Sequence, residues 1–408
     1  MLYWIVIAIV IIELTYDLTL SFLNIWASKN EIPEVLRGLY DEAQYARQQA
    51  YFRDNKCIGF ISTMVSTLFV LLIFALGGFG WLDGLVSEWT DSEIVRALCF
   101  FGLLGAVGWV VSLPIDLYDT FVIEQRYGFN TTTWRTYILD TLKSLGLTIV
   151  PGGGLLSLVV WIYGMWPQWF WLIAWGVMTL ITTVLQYFYS VLLVPLFNKQ
   201  TPLPEGELRT AIEEFARKVD FNLKNIYVID GSRRSTHANA YFTGFGRQKR
   251  VVLYDTLIDQ LTTDEIVGVL AHEIGHYKHH HILQSMLTGV LTSLVTFYLL
   301  GLCLDSVPLA QAAGCEAPSF HVNLAIFSLL YTPLSMLLGV VSSIRSRHNE
   351  RQADHFAKQH GVGGSEASAL KKMSAKSLAN LTPHPVVVFT TYSHPTLAER
   401  VTSLESRS

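Results

Sequence analysis

The chain has 408 residues, of which 51% are hydrophobic and only 15% charged, with a net charge of −4. A soluble protein carries about a quarter charged residues, so this apolar excess, gathered in long runs, excludes a purely soluble enzyme and indicates an integral membrane protein. No basic patch with interleaved aromatics points to nucleic acid, and four scattered cysteines without a CxxC argue against a cysteine zinc site or a disulfide framework.

A first apolar segment runs from about Leu2 to Trp26, and without a preceding positive charge or a cleavage site it reads as a retained helix. Glu13 and Asp17 within it are expected to face other helices or to lie near an interface, because a carboxylate facing lipid is costly. After a polar stretch, Asn30 to Lys56, a second span is expected from about Ile58 to Gly80, followed by an acidic loop with Asp83, Glu88, Asp91 and Glu93. The third span covers about Ala97 to Leu117, followed by a loop with Arg126, Arg135 and Lys143. The fourth, about Ser144 to Gly164, should kink at Pro151 and Gly152 to Gly154. The fifth runs from about Trp169 to Leu196, with Trp166, Trp169 and Trp171 as an interfacial aromatic belt.

From Phe197 to His281 charges become frequent and the unbroken apolar runs stop. Glu205 to Val219 reads as a surface helix, and Asn225 to Ile229, His237 to Phe242 and Val251 to Tyr254 read as strands. A sixth span, about Ile282 to Leu304, and a seventh, about Val322 to Ile344, precede a polar, mostly helical tail. The expected division is a membrane domain of five spans over 1–196 and a second domain over 197–408 that includes spans six and seven. Lys and Arg cluster in alternate loops and in the tail, which places the N-terminus outside and the C-terminus in the cytoplasm. Cys303 and Cys315 would pair only if both faced an oxidising compartment.

The stretch from Leu270 to His281 reads LAHEIGHYKHHH and contains HExxH as His272, Glu273 and His276. Four residues slightly exceed one helical turn, so both imidazoles leave the same face and can share a metal ion. Glu273 lies beside that face, where a carboxylate can take a proton from a metal-activated water. Thr262 and Glu265 have capping-box spacing, and Ile266, Val269 and Leu270 lead into the motif as an apolar stripe. A short HExxH also arises by chance, and a catalytic zinc needs a third protein ligand from another element. Arg347 to Ala357, RHNERQADHFA, offers Glu350 as that ligand, with Asp354 four residues on to hydrogen-bond a ligand histidine. Without HExxH upstream, this would read as a solvated helix face. Two histidines and a glutamate suit zinc.

HExxH followed by ExxAD resembles the integral-membrane zinc endopeptidases of the type I CaaX prenyl protease family. The likeness extends to STHANAYF (Ser235 to Phe242) with VVLYDTL (Val251 to Leu257), to SHPTLAER (Ser393 to Arg400) and to LPIDLYDTFVIEQRYGFN (Leu113 to Asn130). It covers nearly the whole chain and includes the count of seven spans. The resemblance implies a mainly α membrane protein: seven transmembrane helices enclosing a water-filled chamber, with a gluzincin-like α+β metallopeptidase domain. It implies one Zn2+ per chain on His272, His276 and Glu350, Glu273 as general base, and Asp354 behind the ligands. It also implies that Asn239 and Ala240 form an edge strand for the substrate backbone, and that His394 and Arg400 lie near the scissile carbonyl, with His394 able to donate to the oxyanion.

The implied partners are a lipid bilayer and a peptide or protein substrate, including one with a prenylated C-terminus. The chain is compact beside eukaryotic members, which suggests a bacterial homologue in the cytoplasmic membrane; in a eukaryote the membrane would be that of the endoplasmic reticulum. CaaX-type C-terminal processing is the first expected reaction, and clearing of misfolded or stalled membrane polypeptides the alternative.

Three features are set aside. His279, His280 and His281 point in different directions around a helix, so they cannot all reach one metal and are expected at the membrane interface. Leu82-Asp83-Gly84 resembles the LDG of site-2 proteases, but here it precedes HExxH instead of following it. Asn130-Thr131-Thr132 fits a glycosylation sequon that the charge rule places in the cytoplasm. The rival readings are a non-catalytic membrane scaffold with a structural metal, which would want four protein ligands, and a site-2-type intramembrane protease, which would want HExxH inside an apolar span.

Overall fold

The computed structural model describes residues 1–223, 225–243 and 250–406. Among these residues, seven helices are long and apolar enough to cross a membrane. The first is α1 (Leu2–Ala27), in which Glu13 is half-buried and Asp17 exposed. The second, α2 (Glu42–Ala75), starts at a capping box in which Asp41 accepts from Gln44 N–H, so the polar stretch before the second span belongs largely to the same helix. It stops before the expected Gly80, because Gly77 takes a left-handed φ of 68° and ends the helix. The segment expected as an acidic loop is instead α3 (Gly78–Trp89), whose Asp83 lies 2.6 Å from His321 Nε2.

The third span, α4 (Glu93–Tyr118), runs on through a π-helical turn, Asp119–Glu124. The fourth is α5 (Trp134–Leu147) and α6 (Gly153–Met165), joined by a π-helical turn at Thr148–Gly152. Pro151 sits in that turn, where its missing N–H breaks the α ladder. Arg135 and Lys143, expected in a loop, lie within α5. The fifth span is α7 (Phe170–Leu192), followed by the short α8 (Val194–Phe197).

A mixed lobe follows. It comprises β1 (Gln200–Pro202), α9 (Glu207–Lys218), β2 (Asn225–Ile229), β3 (Ala240–Thr243), β4 (Arg250–Tyr254) and α10 (Asp255–Gln260). The sheet order is β1-β2-β4-β3, with only β2 and β4 parallel. β1 is three residues ending in proline, too short to show in the sequence pattern. The third strand starts at Ala240 and not at His237, because residues 236–239 lie outside the ladder.

The motif helix α11 (Thr263–Lys278) leads into α12 (His281–Leu304), α13 (Val307–Ala312) and α14 (Phe320–Gln359), and the chain closes with α15 (Gly363–Lys376), α16 (Pro385–Thr391) and α17 (Leu397–Glu405). At 40 residues α14 is about 60 Å long, twice the roughly 30 Å of a bilayer core. Its second half therefore carries Glu350 and Asp354 beyond the membrane into the lobe. There Ile212, Phe215, Leu253, Ile266, Leu270 and Ile274 form the lobe core, which Phe356 and Ala357 of α14 join. Between α12 and α14 lies a cavity of about 660 Å³ lined by Ser285, Thr288, Thr292, Ser342 and Arg345. All four cysteines are free, so Cys303 and Cys315 are not joined.

Candidate metal centre

Helix α11 is fixed at its start by the capping box read from the sequence. Thr262 N–H donates to Glu265 Oε2 (2.8 Å), and Glu265 N–H donates to Thr262 Oγ1 (3.4 Å). The Glu265 carboxylate also accepts from Ser368 Oγ (2.6 Å) and Lys372 Nζ (2.9 Å) on α15. Two glycines allow close crossing. A Cβ at Gly268 would lie 2.6 Å from Glu366 N, and one at Gly275 would lie 3.0 Å from Ala353 Cα on α14. The result is that α11 meets α14 backbone to backbone, at the level where the two histidines face Glu350.

His272 Nε2 and His276 Nε2 are 3.1 Å apart. Glu350 Oε2 lies 3.3 Å from the first, and Oε1 lies 3.2 Å from the second. Tetrahedral zinc with ligands at roughly 2.0–2.1 Å needs ligand atoms about 3.3 Å apart, so the spacing fits. Glu350 is 5% exposed, and its Oε2 accepts no hydrogen bond, a costly state that a metal relieves. Both imidazoles are held through their other nitrogen, which leaves each Nε2 free to ligate. His272 Nδ1 is 2.8 Å from Asp354 Oδ1. His276 Nδ1 is 2.9 Å from His281 Nδ1, whose Nε2 is 2.8 Å from Gln352 Oε1. His281, expected at the membrane interface, is thus buried behind a metal-facing histidine.

Arg400 reaches the site from behind the ligands, with Nη1 3.8 Å from Glu350 Oε2. It is 8% exposed and binds Asp354 through Nε (2.9 Å) and Nη2 (2.6 Å), and Glu366 Oε1 through Nη2 (3.1 Å). His272, Asp354 and Glu366 also converge closely enough to hold an ion, but the Arg400 guanidinium already occupies that side, so a second cation there would be repelled. Glu366 is a member of the site with no motif around it. Burial pushes its carboxyl up, with Asp354 adding to this and His272 and Arg400 opposing it. Burial also raises Glu273, which His272 and His276 partly offset, and this is the direction a general base needs.

Three further predicted residues, His394, Asn239 and Ala240, lie on the more open side of the site. His394 is exposed, with Nε2 3.5 Å from Glu350 Oε1 and Nδ1 2.9 Å from Ser393 Oγ. Its position is set by Arg347 of α14, which donates to the carbonyls of Val388 (2.7 Å), Phe389 (2.9 Å) and Tyr392 (2.6 Å) at the end of α16. Asn239 and Ala240 lie at the start of β3, at the edge of the sheet, where Asn239 Oδ1 accepts from Ala240 N–H (2.8 Å).

A profile described as CAAX prenyl protease N-terminal, five membrane helices, matches residues 22–199, and one described as peptidase family M48 matches residues 202–408. CAAX prenyl protease 1 homologs of Arabidopsis thaliana and Oryza sativa subsp. japonica are 34% and 36% identical over 384 residues, covering 92% of this chain and 90% of each relative. CAAX prenyl protease 1 of Saccharomyces cerevisiae is 37% identical over 334 residues, covering 77% of this chain and 73% of the relative. The crystal structure of S. mikatae Ste24p superimposes with a TM-score of 0.93 at 31% identity, covering 100% of this chain and 99% of that one. With two profiles spanning nearly its whole length and relatives this similar, this multi-pass membrane protein belongs to peptidase family M48, a family of metallopeptidases.

Proposed function

We propose that this protein is a membrane-embedded zinc endopeptidase that processes CaaX-type C-termini, using one zinc ion per chain on His272, His276 and Glu350. The observation that carries the reading is the convergence of two oriented imidazoles, 3.1 Å apart, on the buried Glu350 carboxylate, whose Oε2 lies 3.3 Å from His272 and accepts no hydrogen bond and whose Oε1 lies 3.2 Å from His276. The names of the relatives, CAAX prenyl protease 1, support the substrate class.

A zinc ion held there supplies Lewis acidity at the scissile carbonyl and lowers the pKa of the attacking water. Glu273 takes a proton from that water as its oxygen adds to the carbonyl carbon. His394, exposed beside Glu350, donates to the carbonyl oxygen as negative charge develops on it. Glu273 then delivers the proton to the leaving amine as the C–N bond breaks. Asp354 and His281 fix the two imidazoles, Arg400 holds Asp354, and Asn239 and Ala240 pair with the substrate backbone. The seven spans enclose the chamber through which the substrate arrives. The alternation of basic loops supports placing the site on the cytoplasmic side, and the chain divides functionally into a membrane part, 1–196, and a peptidase part, 197–408.

Both rivals fit less well. A structural metal would want a fourth protein ligand in place of an open position with a base beside it. An intramembrane site-2 protease would carry HExxH in an apolar span, whereas α11 is a capped helix that precedes the sixth span. The test is cleavage of a farnesylated CaaX peptide and a flexible unprenylated peptide by purified protein. Glu273→Gln is expected to lower kcat by about 10²–10⁴-fold while zinc stays bound. Equal activity of wild type and Glu273→Gln would sink the proposal.

A further inference from the structure

The free edge of β3 is not open along its length. The chain just before it, residues 234–236, is already paired with the connection between α4 and α5. Asn130 bridges Ser235 antiparallel, Thr131 N–H donates to Arg234 C=O (3.2 Å), and Thr236 N–H donates to Phe129 C=O (3.1 Å). The opposite edge is the one facing β4, where Asn239 C=O accepts from Tyr254 N–H (3.1 Å) and His237 C=O accepts from Thr256 Oγ1 (2.9 Å). Backbone groups alternate edges along a chain paired in this way, so Ala238 and Ala240 present theirs on the same side as Thr236, the Ala240 N–H being engaged by Asn239 Oδ1 and its C=O left for a partner. The edge proposed for the substrate therefore ends against the membrane domain's own chain.

We propose that this connection, Phe129 to Thr132, is a ruler that limits how many residues beyond the scissile bond can pair with the edge. The inference rests on the reading that Asn239 and Ala240 hold the substrate backbone. Antiparallel pairing is the more stable mode, and both β4 and the Asn130 bridge already pair with this chain antiparallel. An antiparallel substrate runs its C-terminal side toward Ser235. If the residue before the scissile bond lies opposite Ala240, places remain opposite Asn239, Ala238 and His237, and the next is taken by Phe129 opposite Thr236. Those three places match the tripeptide that CaaX processing removes. A longer C-terminal side must leave the edge after the third residue.

The ruler is anchored. Arg234 binds Asp140 of α5 through two hydrogen bonds (2.7 and 3.0 Å) and also donates to Phe197 C=O (2.6 Å). Asn130 donates to Gln125 Oε1 (3.2 Å) and accepts from Thr132 N–H (2.7 Å). Phe129 stacks on His237 at 4.5 Å, which fixes the connection beside this chain.

The test is a peptide series with a constant sequence before the scissile bond and two to six residues after it, each ending in a free carboxylate. Wild-type kcat/KM should peak at three residues and fall about tenfold for longer peptides, whose chain must turn away from the edge at Phe129 and strain the pairing of the third residue by about the worth of one backbone hydrogen bond. Thr131→Pro removes the N–H that binds Arg234 C=O and should bring the six-residue peptide to parity with the three-residue one. Asn130→Ala, a milder change, should narrow the ratio without abolishing it. A flat wild-type profile with cleavage that Glu273→Gln abolishes would overturn the ruler and leave the protease standing, and it needs no variant of the loop to fold. An unchanged preference in folded Thr131→Pro would overturn it too. No Glu273-dependent cleavage at any length overturns the proposed function, and the ruler with it.

Discussion

His272 is held by its neighbours more tightly than a motif conveys. Its Nδ1 is within 3.2 Å of Asp354, Glu366 and Arg400. Arg400 lies among three buried carboxylates, Glu350, Asp354 and Glu366. Arg400→Ala should therefore cost about 3–5 kcal/mol, read as a lowered Tm in detergent, and Arg400→Lys should not restore it, because an ammonium cannot reproduce the two-pronged contact with Asp354. His281→Ala frees the His276 ring and should weaken zinc binding about 10–100-fold in chelator competition. His272, His276, Glu350 and Asp354 were legible because helical spacing puts each pair on one face and HExxH gives the second pair a metal to serve. His281 and Glu366 were not. His281 opens a new helix after His280 adopts a left-handed φ of 58°, so the rotation rule for a single helix does not apply to it. Glu366 reaches the site only because Gly268 lets α15 come close, a tertiary contact without a local signature.

At the scale of elements, the metal helix is positioned from its N-terminus and through its glycines. Burial raises the Glu265 carboxyl, but Lys372, Ser368 and the Thr262 N–H outweigh it and hold the group at about 2, against 4.5 ordinarily. A depressed folded value stabilises the fold fully above pH 4.5, and the stabilisation is lost as pH falls toward 2. Glu265→Gln should thus lower Tm at neutral pH, by the equivalent of about 1–3 kcal/mol, and flatten the decline of Tm between pH 4.5 and 2. Gly268→Ala places a Cβ 2.6 Å from Glu366 N, and overpacking of this kind costs about 1–3 kcal/mol. Gly364→Ala, with nothing within 4 Å, should be close to neutral in the same Tm measurement. The capping box, β2 and the extent of α12 were readable from local pattern. The ends of α2 and the existence of α3 were not, because Gly77 breaks an apolar run that hydropathy reads as continuous.

For the whole molecule, the seven spans followed from apolar length, but the continuity of α14 did not. A span and a polar amphipathic segment look like two elements in sequence, and one uninterrupted helix makes them a single rod from bilayer to metal centre. The coupling runs in the other direction at Asn130 and Ser235, where the membrane domain reaches into the lobe. No periodicity foretells such a pairing, since it joins an extended loop to a residue 105 positions away. The most direct test of the account is a zinc titration of chelated protein, with bound metal and cleavage of a CaaX peptide read on the same samples. The account predicts that cleavage returns in proportion to zinc, saturates at one ion per chain, and does not return in Glu350→Ala. Full activity in the metal-free protein, or undiminished activity in Glu350→Ala, would contradict it.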